Sequence, residues 1–212
     1  MIPIILRLKK AAHREVAKAQ DTVVETLYEV FDDAVLHGGT SIWRCYGGSR
    51  FSEDVDVYIA KDTKKLADFF SRLVKKGFFA EKKKIGERSL YSTLRFNDTV
   101  VRFEALFKRA SGSLKEYETA EGNLITVYAL TPEELINEKV SAYLSRFKVR
   151  DLYDVFFLLR HVKDISSARA ALERLLAGFK APVDEEQLKV LLLEGIVPDS
   201  KKMVDYIKRW LR

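Results

Sequence analysis

The sequence predicts an α+β protein with two lobes, in which a mixed sheet flanked by helices is followed by a lobe built of helices. Short apolar runs with strand-like alternation recur through the first 130 residues. From Pro132 onward, apolar residues recur at helical spacing almost to the end of the chain. The 212 residues are 47% hydrophobic, which is enough to bury a substantial core. We therefore expect an N-terminal lobe over residues 1–130 and a helical lobe over residues 131–212.

The N-terminal lobe is predicted to begin with a long helix over residues 8–32, where apolar residues recur mostly at steps of three or four. A short buried strand is expected over residues 34–37, and the glycine pair that follows it would end it. Thr40 is the expected N-cap of a short helix, because its hydroxyl can satisfy a free backbone N–H of the first turn. Residues 46–49 would then turn the chain into a strand over residues 50–58.

The rest of the lobe alternates a helix with strands. An amphipathic helix is predicted over residues 63–76, and its inward residues would be Leu66, Phe69, Phe70, Leu73 and Val74. Further strands would complete the mixed sheet near residues 78–84, 89–96, 99–107 and 124–130. Breaks in the helical lobe are expected at residues 161–164, 178–182 and 195–198.

Asp54 and Asp56 are separated by one apolar residue in the strand predicted over residues 50–58. Because side chains alternate between the two faces of a strand, the two carboxylates would point together, with Val55 and Val57 on the buried side. Such a pair suits Mg²⁺, which takes carboxylate oxygens together with substrate phosphates. The alternative is an edge strand with a solvated acidic face.

The segment Gly38-Gly39-Thr40 precedes this strand. Paired glycines let backbone N–H groups approach an anion closely, and the N-terminus of a helix favours negative charge. The segment is therefore predicted to accept a phosphate, although ordinary turns contain the same residue types.

The helical lobe is predicted to start at a strong helix signal, with Thr131 as cap, Pro132 at the first helical position and acidic residues in the first turn. Lys139 lies on or beside the apolar face of this helix, so it needs a partner. The candidate partner is Asp151, and the alternative is a lysine whose stem packs while its amine reaches water.

Two separated motifs resemble one protein family. The first consists of HGGT at residues 37–40 and YGGSRFSEDVD at residues 46–56. The second consists of TPEELINEKVSA at residues 131–142 and RFKVRDLYD at residues 146–154. Together they resemble the AbiEii/AbiGii type IV toxin group of the DNA polymerase β-like nucleotidyltransferase superfamily. The resemblance implies a nucleotidyltransferase N-terminal lobe and a helical lobe that completes the active-site cleft.

The resemblance also implies roles for the residues of both motifs. Asp54 and Asp56 would be catalytic carboxylates that hold Mg²⁺, as two ions, or Mn²⁺ in its place. Lys139 would contact the nucleotide phosphates, and Asp151 would assist the transfer step or hold Lys139 in place. The expected nucleotide-binding set is Gly38, Gly39, Thr40, Arg50, Ser52 and Lys139.

Glu104 is the candidate for a third metal ligand. It lies in the strand predicted over residues 99–107, on the face that also carries Arg102. The superfamily often has Asp at this point, and the longer Glu side chain still suits Mg²⁺. The alternative is a cross-strand partner for a basic residue such as Arg95 or Arg102.

The predicted reaction moves NMP from an NTP to an acceptor hydroxyl with metal assistance. The leading acceptor is RNA, with tRNA as one candidate, as expected of the toxin in a toxin–antitoxin pair. A second hypothesis keeps the site but modifies a small molecule, as antibiotic-modifying nucleotidyltransferases do. A third is a non-catalytic module that binds nucleotide or RNA.

Net charge and cysteine content indicate which binding partners and which cellular compartment to expect. The net charge is +6, and basic clusters such as Lys82-Lys83-Lys84 would attract RNA, or an acidic partner such as an antitoxin. The alternatives are plain solubility and the charge-rich surface of a heat-adapted protein, since Lys and Glu are both abundant. The one cysteine, Cys45, excludes an internal disulfide and fits a reducing cytosol, so a cytoplasmic location is expected. No apolar run is long enough to span a bilayer, and no membrane partner is expected.

Overall fold

The computed structural model describes residues 2–212, which form helices and a mixed seven-stranded sheet. Unit 1 comprises residues 2–45 and Ser52–Ala129, and unit 2 comprises Tyr46–Phe51 and Leu130–Arg212. The N-terminal lobe predicted over residues 1–130 included Tyr46–Phe51, which the structure groups with unit 2. Within unit 2, the carbonyl of Ser49 accepts a hydrogen bond from the amide of Leu193, which ties this short segment to the later chain.

Within residues 2–212, unit 1 contains all the strands. Its elements in chain order are α1 (Ile4–Arg7), α2 (Ala11–Tyr28), β1 (Val35–His37), α3 (Gly38–Cys45), β2 (Asp54–Ile59), α4 (Thr63–Lys75), β3 (Phe79–Ile85), β4 (Ser89–Phe96), β5 (Thr99–Phe107), β6 (Ser113–Glu118) and β7 (Leu124–Ala129). The strands are ordered β3-β4-β5-β2-β1-β7-β6. β2 is parallel to β5 and antiparallel to β1, and β1 is parallel to β7. The predicted α+β class with a mixed sheet is confirmed.

The core of unit 1 lies between one face of the sheet and helices α2 and α4. Apolar residues at alternate positions of β2 and β5 are fully buried there, including Val55, Val57 and Phe103. Because neighbouring side chains in a strand point to opposite faces, the polar residues between them lie on the other face of the sheet. This pattern places Asp54, Asp56 and Glu104 together on the face away from the core.

Several predicted elements of unit 1 differ from the structure in their limits. The predicted long helix ends at Tyr28 rather than near residue 32, and the chain then bends so that Phe31 enters the core. Val74, predicted to face inward from α4, is exposed. Strand β6 was not predicted, because its polar sequence gives little apolar alternation and only Tyr117 and Glu118 at its end are buried.

Unit 2 is helical, as predicted. It contains α5 (Pro132–Arg146), α6 (Val149–Leu158), α7 (Ser166–Ala177), α8 (Leu188–Leu191) and α9 (Ser200–Trp210), with 3₁₀ turns at Leu159–His161 and Glu185–Gln187. Thr131 caps α5 through a complete capping box with Glu134, as its sequence indicated. One break was not predicted: Phe147 adopts a left-handed conformation with φ 48° and separates α5 from α6. Within residues 2–212, no helix has both the length and the apolar character needed to span a bilayer.

Candidate active site

A row of carboxylates crosses the two central parallel strands of unit 1. In the register of β2 and β5, Asp54 lies opposite Arg102 and Asp56 lies opposite Glu104. Asp54 and Asp56 share one face of β2, while Val55 and Val57 are fully buried behind them. The parallel pairing therefore brings Glu104 to the two aspartates, although 47 residues lie between Asp56 and Glu104 along the chain.

The electrostatics of Glu104 show how closely these groups interact. Partial burial raises the pKa of Glu104, and the negative charges of Asp56 and Asp54 raise this pKa further, against smaller opposite effects of Arg102 and His37. Negative charges near a carboxyl group disfavour its ionisation and so raise its pKa. A bound cation would offset this repulsion.

Arg102 supplies positive charge within the row. Its Nε donates a hydrogen bond to Oδ1 of Asp54, and its Nη2 lies 3.5 Å from a carboxylate oxygen of Glu53. The hydrogen bond to Asp54 raises the pKa of the Arg102 guanidinium. The predicted alternative partner, Arg95, instead pairs with Glu81 at 2.5 Å.

The glycine segment forms the start of α3 and touches the carboxylates. The helix begins at Gly38, directly after β1, so Thr40 lies inside the first turn and is not its N-cap. Thr40 is fully buried, and its hydroxyl donates a hydrogen bond to the backbone carbonyl of Asp54. This hydrogen bond holds the first turn of α3 against the start of β2.

Gly38 makes the close approach between α3 and Asp56. Its φ is +69°, a conformation that glycine adopts without strain. A Cβ at this position would overlap Oδ2 of Asp56 and would lie 2.8 Å from its Cγ. Both the backbone conformation and the space therefore require glycine at residue 38.

Arg44 anchors the far end of α3 and was not singled out from the sequence. It is 2% exposed, and it donates hydrogen bonds to the carbonyls of Ala17 at 2.9 Å and Glu118 at 3.1 Å. Its Nη2 also lies 3.2 Å from Asp21, a carboxyl whose pKa is raised by burial despite the opposing effect of Arg44. An arginine in an otherwise uncharged helix was the only sequence signal for this anchor.

Two further residues near the start of β2 have structural contacts. Ser52, predicted to touch the triphosphate, is buried, and its backbone carbonyl accepts a hydrogen bond from Gln20 at 2.9 Å. His37 stacks on Tyr58, with ring centroids 4.0 Å apart and planes 2° from parallel. This stack lies on the carboxylate face, because Asp56 pairs with His37 across β1 and β2.

The predicted residues of unit 2 meet in a buried ion-pair network around Asp154. Asp154 accepts two hydrogen bonds from Arg50, at 2.9 and 2.8 Å, and lies 2.8 Å from Nζ of Lys139. The expected partner of Lys139, Asp151, is farther away at 3.8 Å and accepts two hydrogen bonds from Arg146, at 2.7 and 2.8 Å. The nearest anion to Lys139 is therefore Asp154, which lies one helical turn after Asp151.

Burial alone would raise the pKa of Asp154, but the neighbouring charges of Arg50 and Lys139 outweigh it and lower this pKa to about 2. Arg50, predicted to bind nucleotide, is buried and takes part in this pair. Lys139 is 8% exposed, which excludes the alternative of a lysine that extends into water.

Metal binding can be judged from the donors on the carboxylate face. Among residues 2–212, no group of three or more His, Cys, Asp and Glu side chains is arranged so that it could hold a metal ion. The donor types of Asp54, Asp56 and Glu104 still suit Mg²⁺, which binds hard oxygen ligands, but the three carboxylates would have to draw closer together than they lie here to hold one ion. Asp54 is bonded to Arg102 in this arrangement.

Comparison with known proteins decides the family. Residues 25–208 match the family described as "Nucleotidyl transferase AbiEii toxin, Type IV TA system". The chain belongs to the AbiEii nucleotidyltransferase toxin family. The resemblance drawn from the two sequence motifs is confirmed. As a member of this family, the chain is a nucleotidyltransferase.

Solved structures share the fold of this AbiEii-family chain. JHP933 from Helicobacter pylori is 19% identical with a TM-score of 0.66, and the match covers 95% of this chain and 91% of that one. MenT4, a nucleotidyltransferase toxin from Mycobacterium tuberculosis, is 18% identical with a TM-score of 0.64, and the match covers 97% of this chain and 90% of that one. No match was found among curated proteins.

Proposed function

We propose that this AbiEii-family protein transfers a nucleoside monophosphate from an NTP to an acceptor hydroxyl, with divalent cations held by Asp54, Asp56 and Glu104. The observation that carries the proposal is the parallel register of β2 and β5, which places Asp56 opposite Glu104 with Asp54 on the same face. Two Mg²⁺ ions, or Mn²⁺, would supply a hydroxyl of lowered pKa and stabilise the leaving phosphates.

In the proposed reaction, the acceptor oxygen forms a bond to the α-phosphorus of the NTP. The bond from that phosphorus to the oxygen bridging the α- and β-phosphates breaks, pyrophosphate leaves, and the acceptor hydroxyl loses its proton to solvent. The backbone N–H groups of Gly38, Gly39 and Thr40 at the start of α3 would bind the phosphates, since the N-terminus of a helix favours anions. Gly38 lies close to Asp56, so phosphates bound there would lie beside a proposed metal ligand, which supports this role.

For Lys139, Asp151 and Arg50 of unit 2, we propose roles that differ in part from those expected from the sequence. Lys139 is proposed to contact nucleotide phosphates, and Asp151 to position the lysine. The short Lys139–Asp154 pair indicates that Asp154 does more of this positioning than Asp151. Because Arg50 is paired with Asp154, we propose that Arg50 acts through the network, and a direct nucleotide contact by Arg50 is the weaker alternative.

The proposed acceptor is RNA, with tRNA as one candidate, and a small hydroxyl compound is the second candidate. The positive net charge favours RNA, because a basic protein attracts polyanions. The family description, a type IV toxin–antitoxin system, supports an antitoxin as a further partner. The single cysteine supports the cytoplasm as the proposed compartment.

The proposal is tested by incubating the protein with each α-labelled NTP and Mg²⁺, together with either tRNA or a panel of small hydroxyl compounds. Label in RNA supports the leading proposal, and label only in a small compound supports the second candidate. NTP binding without transfer to any acceptor would favour a non-catalytic binding module. Glu104→Gln tests the third ligand, because loss of the carboxylate should raise the Mg²⁺ concentration needed for transfer.

A further inference from the structure

Two rows of side chains lead across the sheet from its edge strand β3 to the proposed catalytic carboxylates. Antiparallel pairing of β3 with β4 and of β4 with β5, followed by parallel pairing of β5 with β2, aligns residues strand by strand. One row is Lys84, Tyr91, Glu104 and Asp56. The neighbouring row is Lys82, Thr93, Arg102 and Asp54. We call the β3, β4 and β5 part of these two rows the open face.

The open face is exposed to solvent. Helices α2 and α4 pack on the opposite face, where Leu90, Leu94 and Phe103 are buried. On the open face, Lys82, Lys84 and Glu104 are exposed, and Tyr91 is 38% exposed. The rows thus form an accessible surface that borders the carboxylates.

Lys83 shows that the lysine run Lys82-Lys83-Lys84 is divided between the two faces of the sheet. Lys83 pairs with the fully buried Ser92, and its Nζ lies 4.7 Å from the ring centroid of Phe70 on α4. Lys82 and Lys84 therefore point to the other side, by the alternation of a strand. Two of the three charges belong to the open face.

We propose that the open face binds the single-stranded end of an RNA acceptor and directs its terminal hydroxyl to Asp56 and Glu104. Tyr91 would stack on a base, and Lys82 and Lys84 would contact phosphates. A sheet face with an exposed aromatic ring and flanking cations suits unstacked bases, whereas a duplex hides its bases. This inference rests on the proposed nucleotidyl transfer.

The distribution of charge on the open face sets the direction in which the RNA strand would lie. The β3 end of the open face carries Lys82 and Lys84, and the β2 end borders the carboxylates of Asp54, Asp56 and Glu104. RNA phosphates would therefore remain over Lys82 and Lys84, and the uncharged terminal hydroxyl would approach the acids. Three strand spacings separate Lys84 from Asp56, about 14 Å, so a short segment of RNA covers the row.

The geometry also favours a polymer over a small acceptor. Small molecules bind in concave pockets that bury most of their surface. The open face is instead part of a sheet surface, where a stacked base and two phosphate contacts can share the binding free energy. A small acceptor would make no use of Lys82 and Lys84 at the far strand.

Binding of a fluorescein-labelled oligouridine, followed by anisotropy in EDTA over a series of salt concentrations, tests the surface without requiring transfer. Lys84→Gln should reduce the slope of log K against log salt by about 0.7, the value for one phosphate contact in a single strand. The matched control Lys83→Gln removes the same charge from the same strand but from the other face, so it should leave the slope unchanged. Equal effects of the two changes would overturn the proposal.

Tyr91→Ala should weaken oligouridine binding about tenfold, and Tyr91→Phe should restore it, because the phenyl ring retains stacking. An unchanged affinity in Tyr91→Ala would overturn the proposal, as would a change confined to the KM for NTP. Thermal melting of each variant checks that the fold is retained.

The two proposals fail in different ways. Oligouridine binding that depends on Lys84 and Tyr91, in a protein that transfers no nucleotide, would refute the proposed function but not the RNA surface. Transfer to RNA that neither substitution affects would overturn the surface and leave the proposed function in place.

Discussion

Arg102 and Asp54 lie directly opposite each other on the parallel strands β5 and β2, and Arg102 donates a hydrogen bond to the Asp54 carboxylate. The arginine therefore neutralises one of the proposed metal ligands. Because a metal ion would bind the same carboxylate, Arg102 and the cation compete for Asp54. The guanidinium is partly exposed, so it has room to turn away when a cation binds.

Arg102→Gln should therefore increase the affinity of the nucleotide-free protein for Mg²⁺, by about threefold for a partly exposed ion pair. The measurement is the rise in melting temperature with Mg²⁺ concentration. Arg95→Gln is the matched control, since Arg95 pairs with Glu81 on the neighbouring strands. A weaker response to Mg²⁺ in Arg102→Gln than in the control would show that the arginine assists metal binding.

Gly38 and Gly47 provide a matched pair of glycines. Their φ angles are +69° and +67°, but a Cβ on Gly38 would meet Asp56, whereas a Cβ on Gly47 would have no atom within 4 Å. Gly47→Ala should cost only the strain of the left-handed conformation, about 1–2 kcal/mol. Gly38→Ala should cost more and should also abolish transfer, because Asp56 must move.

Chemical denaturation and transfer assays on both glycine variants check this prediction. If Gly38→Ala and Gly47→Ala lose the same free energy of unfolding and keep the same activity, the contact between Gly38 and Asp56 has no functional role.

The lowered pKa of Asp154 predicts that the folded protein loses stability in acid. Its pKa in the folded protein is about 2, below the ordinary value of 3.8, so its ionised form stabilises the fold. This contribution, about 2 kcal/mol, is complete above the ordinary pKa and is lost as the pH falls through the folded value. Denaturant unfolding measured between about pH 5 and pH 2 should show this loss.

Asp154→Asn should remove this part of the acid dependence and should destabilise the protein by about 3–5 kcal/mol at neutral pH, because Arg50 and Lys139 lose their buried partner. Asp205→Asn, at an exposed pair with Lys208, is the control and should change stability by less than about 0.5 kcal/mol. An acid profile of Asp154→Asn that matches the wild type would contradict this account.

Sequence patterns predicted the central part of the site because its signals are local. Alternation alone placed Asp54 and Asp56 on one face of a strand, with Val55 and Val57 in the core. The same alternation separated Arg102 and Glu104 from Phe103. The parallel pairing of β2 with β5 was not predicted, because it is a contact between segments far apart in the chain that alternation within one strand does not indicate.

The features that the sequence did not predict depend on contacts between residues far apart in the chain. Arg44 is held by carbonyl groups of α2 and β6, and nothing in its own helix indicates those partners. Thr40 has the residue type of an N-cap, yet the helix begins two residues earlier, because Gly38 can adopt a positive φ immediately after β1. The Lys139–Asp154 pair depends on the break at Phe147, where a bulky residue adopts a conformation that its type disfavours.

The most direct test of the central claim compares Asp56→Asn with Asp98→Asn in transfer of label from an α-labelled NTP to RNA in the presence of Mg²⁺. Both changes replace one carboxylate by an amide, and Asp98 lies in the exposed turn between β4 and β5. Asp56→Asn should fall to background while it melts as a folded protein, and Asp98→Asn should match the wild type. Transfer that persists in Asp56→Asn would contradict the assignment of Asp54, Asp56 and Glu104 as the catalytic carboxylates.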